Sequence, residues 1–505
     1  MQNGFDVKRI YQLTYIYLAI PLFIFFMSWL DLAFAIGFTL IFVLGFHKVY
    51  EECSHSPEQG KISSDIVLTA IGLAIFWCFF AGIGYFYYQS FDYHFRNAVF
   101  RDLINYSWPV FYDKANTPLV YYMGFWLLPA AAAKLINITG NSYTAFLVGN
   151  FYLFIYAAFG VTLLFLHLTV AVKAHSLKKF LLAALIFMFF SGMDVIGYKY
   201  FLIIEQPFEY HMDWWATFIQ YSSITTSMFW VFNQFIPTAL MILLVYNERL
   251  IKNFGFLVPL MLFLAPYPTF GVGVFMVSYA VYMLCKSPNK ALFIKNEIFS
   301  IPNIIGVFWC LPTVILYFIT NSEGMDRWHY IFYYTTPQRL ILFMVLEFLL
   351  YTFILLIRYK KDVFFMTAFI SLIFIPFLRL DQQNNFCMRA SQPALILLAV
   401  FVILFLFENY QEKKYKLLSG LLVILLLIGS ATPLMEFYRG LHYTFKEGKI
   451  ALVQDSMRTL NKKLVIMPVF GWDANHQYTA QNYQTDIFWR YLAHSHIPDK
   501  PINGK

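Results

Sequence analysis

Apolar residues run along this chain in blocks of membrane-span length, separated for the most part by short polar stretches. A crossing helix needs about 17 to 25 predominantly apolar residues. On that basis we place helices near 11–29, 32–47, 65–88, 143–171, 180–200, 231–247, 255–267, 270–285, 299–319, 337–357, 363–379, 393–408 and 416–432. Two of them meet at Ala265-Pro266-Tyr267-Pro268, where the prolines rule out one continuous helix. One polar stretch is much longer than most. Ser90 to Pro118 carries Asp92, His94, Arg96, Asn97, Arg101, Asp102 and Asp113, the best-equipped segment for chemistry. Within it Phe95, Val99, Leu103 and Ile104 recur at helical spacing, which predicts an amphipathic helix lying in the membrane interface.

Composition sharpens this picture. The chain of 505 residues is 60% hydrophobic and 13% charged, against the roughly 25% charged residues of soluble domains. It reads as an all-α polytopic membrane protein with about 13 transmembrane helices. The net charge of +8 is concentrated in short tracts: Lys8-Arg9, Lys173 with Lys178-Lys179, Arg249 with Lys252, Lys286 with Lys290, Arg358 to Lys361, and Lys413 to Lys416. Cytoplasmic loops carry such tracts. A nucleic-acid partner would need a contiguous soluble basic face, and none is visible. The cysteines show no CxxC pair and read as small apolar residues. The first apolar run is long enough to read as a signal anchor and not as a cleaved leader.

With the N-terminus inside, the thirteen crossings put every basic tract on the cytoplasmic side. Residues 119–137 are also apolar enough to cross, but crossing there would turn Lys173, Lys178 and Lys179 outward. We therefore read 119–137 as a re-entrant or surface-lying segment, tolerated where protein buries it. The outer side then gathers Ser90–Pro118, Gly192–Gln234, Asn321–Gln338, Asp381–Gln392 and the tail. The chain divides into a polytopic part, 1–432, with 90–118 as its outer loop, and a small mixed extracytoplasmic region, 433–505. Lys463 to Pro468 reads as a strand and Ala451 to Asn461 as helix-like. A tail of about seventy residues without disulfides makes a marginal independent domain, so it is expected to pack on the outer loops.

The segment Pro118-Leu119-Val120-Tyr121-Tyr122 follows an outer loop that holds an acid and a surface helix. This combination, over roughly the first 170 residues, resembles the GT-C superfamily of polytopic glycosyltransferases. Those enzymes move a sugar from a polyprenyl-phosphate donor to a glycan, lipid or protein acceptor at the extracytoplasmic face. The resemblance implies a multi-pass enzyme, in a bacterial inner or cytoplasmic membrane, working in envelope assembly. It also implies that Asp92 is the catalytic base. His94, Asn97, Tyr121, Asn233 and Gln234 are then candidates for binding substrate. Asp92-Tyr93-His94 holds one acid and not a pair, so no metal ligands are assigned and a divalent cation stays an open question.

The chemistry fixes what else is needed. A carboxylate must take the acceptor's proton as its oxygen attacks. The leaving phosphate gains charge, which cations or fixed donors must meet. Direct displacement with one base inverts the anomeric centre. Arg389 stands where an outer loop enters the hydrocarbon, and an Arg can grip phosphate with two parallel hydrogen bonds. Asn384, Asn385 and Ser391 could add donors, Arg96 and Arg101 could add charge, and Arg379 competes with Arg389. A third cluster holds Glu205, Glu209, His211, Asp213, Trp214, Trp215 and Tyr221, with the two tryptophans read more readily as an interfacial belt. Asp326, Arg327 and His329 form a weaker one. Gly271-Val-Gly273 reads as helix packing. Two alternatives remain: a polymerase or ligase of lipid-linked oligosaccharides, and a non-enzymatic transporter or flippase.

Overall fold

The computed structural model describes residues 4–53, 60–112, 115–137, 140–200, 212–321, 329–380, 384–412, 414–454, 459–460, 477–480 and 482–494. In chain order its main helices are α1 (Val7–Trp29), α2 (Leu32–Cys53), α3 (Ser64–Phe80), α4 (Asp92–Asn105), α5 (Gly124–Asn137), α6 (Ser142–Ala171), α7 (Leu177–Met188), α8 (Asp194–Tyr200), α9 (Ile224–Glu248), α10 (Phe254–Leu264) and α11 (Pro266–Lys286). They continue with α12 (Ile301–Phe318), α13 (Pro337–Tyr359), α14 (Val363–Phe377), α15 (Asn385–Tyr410) and α16 (Lys416–Lys446). Among the described residues nine helices are long and apolar enough to cross a bilayer, and α3 and α14 are shorter apolar helices. The chain is an all-α, multi-pass membrane protein. Among the described residues the β-structure consists of two-stranded pairs, such as Gly4–Asp6 with Lys61–Ser63 and Phe111–Tyr112 with Thr117–Pro118, and isolated bridges such as Leu119 with Thr479.

Several boundaries follow from single residues. α10 ends at Leu264 and α11 starts at Pro266, as the prolines require. α3 stops at Phe80, short of the expected 88, because Gly82, Gly84 and Tyr85 all take positive φ and fold the chain back. The expected helix 180–200 is two pieces, with a break after Met188 where the Met193 amide bonds the carbonyl of Leu346. A side chain at Gly192 would collide with Glu347, so that break needs a glycine. α16 runs on to Lys446, well past the expected 432.

The segment 119–137 holds a short helix. α5 has 14 residues, about 21 Å of helix against a hydrocarbon core of about 30 Å. Its start is deep: Phe125 packs on Tyr156, whose hydroxyl bonds the carbonyl of Tyr17 halfway along α1. Its end returns to the loop after α4, where Lys134 bonds the carbonyl of Tyr106. The helix thus runs from beside the middle of α1 back to the loop after α4.

The chain's two ends of charge separate accordingly. Lys252 meets Glu52 and Glu297 at one end of the bundle, where Arg358 also pairs with Glu408 and Glu412. The tail docks at the other end. Asp31 donates its amide to Leu492, His494 to Trp29, and Trp489 its indole to Thr320. Thr459 and Leu460 bond Asp102 of α4. Cysteines introduced at the exposed positions Phe91 and Tyr491 are therefore expected to react with an impermeant thiol reagent from the same side of the membrane. Labelling of one from outside and the other only from inside would overturn this arrangement.

Candidate active site

α4 begins with Asp92, an acid in the first turn where the helix N-terminus favours negative charge. One turn on, Arg96 Nη2 donates to Asp92 Oδ2 at 3.0 Å. Arg96 is 5% exposed at its side chain, whereas Asp92 is 42% exposed and open to an incoming group. The other end of the guanidinium, Nη1, donates to the backbone carbonyl of Trp230 in α9. That carbonyl lies next to Val231, whose φ of −137° breaks the helix.

Opposite stands Arg389 in α15, also buried, with Nη1 donating to the Tyr122 hydroxyl at 3.2 Å. Among the described residues its Nε has no hydrogen-bond partner. The close approach of α11 to this turn depends on Gly271, where a side chain would collide with the carbonyl of Ala390. Of the Gly271-Val-Gly273 pattern, Gly271 gives the helix packing expected and Gly273 faces open space. Arg96 and Arg389 share Tyr121 and Tyr122 as electrostatic neighbours. The four residues of the sequence reading that converge are thus Asp92, Arg96, Tyr121 and Arg389, arranged along the Tyr121-Tyr122 step.

That step is built by distant parts of the chain. The Tyr121 amide donates to the Tyr317 hydroxyl at 3.1 Å. Asn321 Nδ2 donates to the carbonyls of Val120 and Gln477. The Val120 amide donates to the carbonyl of Tyr478 at 2.9 Å, and Thr117 exchanges two hydrogen bonds with Ala480. The Tyr478 ring packs on Tyr121 at 4.7 Å and stacks on Phe95 at 6.0 Å. The tail does pack on the outer loops, and it does so at the site.

Other candidates lie elsewhere. Arg101 stacks on Phe146 at 3.7 Å and donates to the Tyr85 hydroxyl, on a different side of α4. Asn97 is buried and donates to Gln89, whose amide bonds Gly82, so it holds the turn before α4. His94 packs edge-on against Phe91. Asn385 opens α15; its neighbour Asn384 takes a left-handed φ of 56° and bonds the carbonyl of Phe218. Ser391 bonds its own helix. Arg379 is held over the rings of Tyr334 and Phe218. Asn233 and Gln234 are fully buried on α9 between the break at Val231 and Pro237, and their side-chain amides have no hydrogen-bond partner. Asp113, Glu205, Glu209, His211, Asp326, Arg327 and Asp381 lie outside the described residues, as does the stretch 463–468. Of His329 the structure describes only the backbone.

Two corrections concern burial. α4 does not lie in the interface with a wet polar face: Arg96, Asn97 and Asp102 are all buried, because the tail, the 81–91 turn and Trp230 cover them. Trp215 is no belt residue either. It is fully buried and donates to Glu347 at 2.8 Å from a bulged turn of α13, while Trp214 is partly exposed. Near it Asp194 bonds Ser191 and Thr432, and Asp213 accepts the Ser223 amide. Burial pushes Asp213 up from the usual carboxylate range. Among the described residues no three His, Cys, Asp or Glu side chains are grouped to hold a metal ion.

Asp102 holds the tail and belongs to no reaction centre. It is fully buried, and burial pushes its carboxyl up to about 7, against the hydrogen bonds from Thr459 and the Leu460 amide. Its folded-state value lies above the ordinary one, so docking takes up a proton between about pH 4 and pH 7. Tail docking is then firmest at the acid end and weakens as pH rises through that window. The effect on the opening equilibrium is at most about tenfold per pH unit. Limited proteolysis of the tail should accelerate from pH 5 to pH 7.5, and Asp102→Asn, neutral throughout, should flatten the profile. An equal pH dependence in both proteins would contradict this role.

Trp230, Tyr478, Glu436 and Arg439 are site neighbours that the apolar pattern misses. Glu436 and Arg439 were legible only as an i, i+3 pair on a helix continuing past the last apolar run. No protein-family model matches this chain, and no curated protein or solved structure matches it either.

Proposed function

We propose that this protein is a GT-C-type glycosyltransferase with thirteen crossings, one re-entrant segment and its site on the extracytoplasmic face. The reading rests on one observation. Arg96, ion-paired to Asp92, and Arg389, on a separate helix, face the same Tyr121-Tyr122 step. A solvent-reachable carboxylate on one buried guanidinium, with a second buried guanidinium at the same step, supplies what transfer from a polyprenyl-phosphate sugar requires. Asp92 takes the proton of the acceptor hydroxyl as its oxygen attacks the anomeric carbon. Arg389, with Arg96 behind it, meets the charge that grows on the departing phosphate. A single base and direct displacement give inversion.

Unpartnered amides on a broken helix favour a second reading. Asn233 and Gln234 lie inside the bundle between Val231 and Pro237, and interrupted helices bind cargo in transporters. One experiment separates the two. Purified protein in nanodiscs is given a radiolabelled polyprenyl-phosphate sugar and a mixture of candidate acceptors. Release of polyprenyl phosphate with label in the acceptor supports transfer. Movement of intact donor across proteoliposomes without its consumption supports transport.

A further inference from the structure

Beside the ion pair of Asp92 and Arg96 lies a cleft lined by Tyr88, Ser90, Trp230, Glu436 and Arg439. Its clear interior is only about 20 Å³, room for one water or one hydroxyl. Three observations say what it is built for. Glu436 and Arg439 are almost fully buried and pair at 2.6 Å, so the cleft floor carries fixed polar atoms but no net charge. The Trp230 indole donates to Glu436 at 3.0 Å and holds that carboxylate in place. Ser90 is 7% exposed, and its hydroxyl, two residues from Asp92, has no hydrogen-bond partner.

We propose that this cleft binds an uncharged, hydroxyl-bearing ring, with one hydroxyl reaching the interior beside Ser90 and the ring resting at the aromatic mouth. An anion would meet Arg439 already neutralised, and a cation would meet Glu436 in the same condition. A neutral hydroxyl both donates and accepts, which matches Ser90 beside the paired charges. The backbone ties this cleft to the reaction centre, because Arg96 spans from the carbonyl of Trp230 to Asp92. The ring is thereby delivered on the Asp92 side, away from Tyr122 and Arg389. Naming it the acceptor sugar rests on the transferase reading; the binding chemistry does not.

The test uses full-length protein in nanodiscs and saturation-transfer difference NMR with methyl α-mannoside, methyl β-galactoside, methyl β-glucoside and the anionic methyl β-glucuronide as probes. A neutral glycoside should bind with the glucuronide clearly weaker. Ser90→Leu, which fills the interior, should weaken binding about tenfold or more. Glu436→Gln removes the carboxylate that pairs with Arg439 and should shift preference towards the glucuronide, a change that loss of fold would not produce. Lys286→Ala, at the opposite end of the bundle, should behave as wild type. Absence of binding in the wild type would overturn the proposal, as would unchanged binding in Ser90→Leu or a wild-type preference for the glucuronide. If glycosides bind as described but lipid-linked sugar is never consumed, the transferase reading fails and the cleft stands. If donor is consumed and cleft variants bind glycosides normally, the cleft alone fails.

Discussion

Asp92→Asn is expected to lower sugar transfer by about a hundredfold or more, the usual scale for losing a general base. The substitution keeps the shape at the head of α4 and removes the lone pair that takes the acceptor's proton. Donor affinity should change little, since the base faces the acceptor. Asp92 is also the partner of the buried Arg96 guanidinium, so a modest fall in thermal stability is expected alongside. Its exposure limits that fall, because water can solvate what the carboxylate no longer neutralises. The two effects separate experimentally: melting temperature and donor binding report the ion pair, and single-turnover transfer reports the base. Near-normal turnover in a folded Asp92→Asn protein would remove Asp92 from the mechanism. Asp102 could not take its place, since it is sealed under Thr459 and Leu460.

Arg389→Ala should act on both donor binding and turnover. The guanidinium offers Nε, which has no hydrogen-bond partner among the described residues, and Nη1, held by Tyr122. Hydrogen bonds to a charged group contribute about 1.5–3 kcal/mol each, so donor affinity should fall roughly tenfold to a hundredfold. Turnover should fall further, because charge on the phosphate increases towards the transition state and the missing contact matters most there. Arg389→Lys restores the charge without the fork and should recover only part of each loss. Donor titrations and single-turnover rates on the three proteins distinguish these patterns. Normal donor binding and normal turnover in Arg389→Ala would reduce this residue to an interfacial anchor.

Local patterns in the sequence carry most of the helices and little of the site. Proline spacing marks the α10–α11 junction, and the apolar run 119–137 marks α5. Both are short-range or additive signals. Glycine conformation is legible only as a possibility: nothing in the apolar run before Gly82 says that α3 must stop at Phe80. Burial is harder still. The wheel of α4 reads as half wet because Arg96, Asn97 and Asp102 are polar, yet residues 350 or more positions away close over Asp102. Trp214 and Trp215 are adjacent and chemically identical, and only the position of Glu347 across the bundle decides which is core. Among the charged candidates, Arg101, Arg379 and Arg389 could not be ranked from the chain. Stacking on aromatic rings takes up the first two, and only Arg389 is turned to the tyrosine step beside Arg96.

The pairing of Tyr478, Thr479 and Ala480 with Thr117 to Tyr121 has a consequence for how the protein is made. Domains form from the N-terminus as a chain is synthesised, and here the segment before α5 waits for residues 477–480, which are made only after α16. The helices α1 to α16 can all be made before residues 477–480 leave the ribosome. Until those residues reach it, the tyrosine step lacks one of its walls. A product stopped after α16 would hold every helix described above and still lack the finished step, so a half-made copy is built without a working centre.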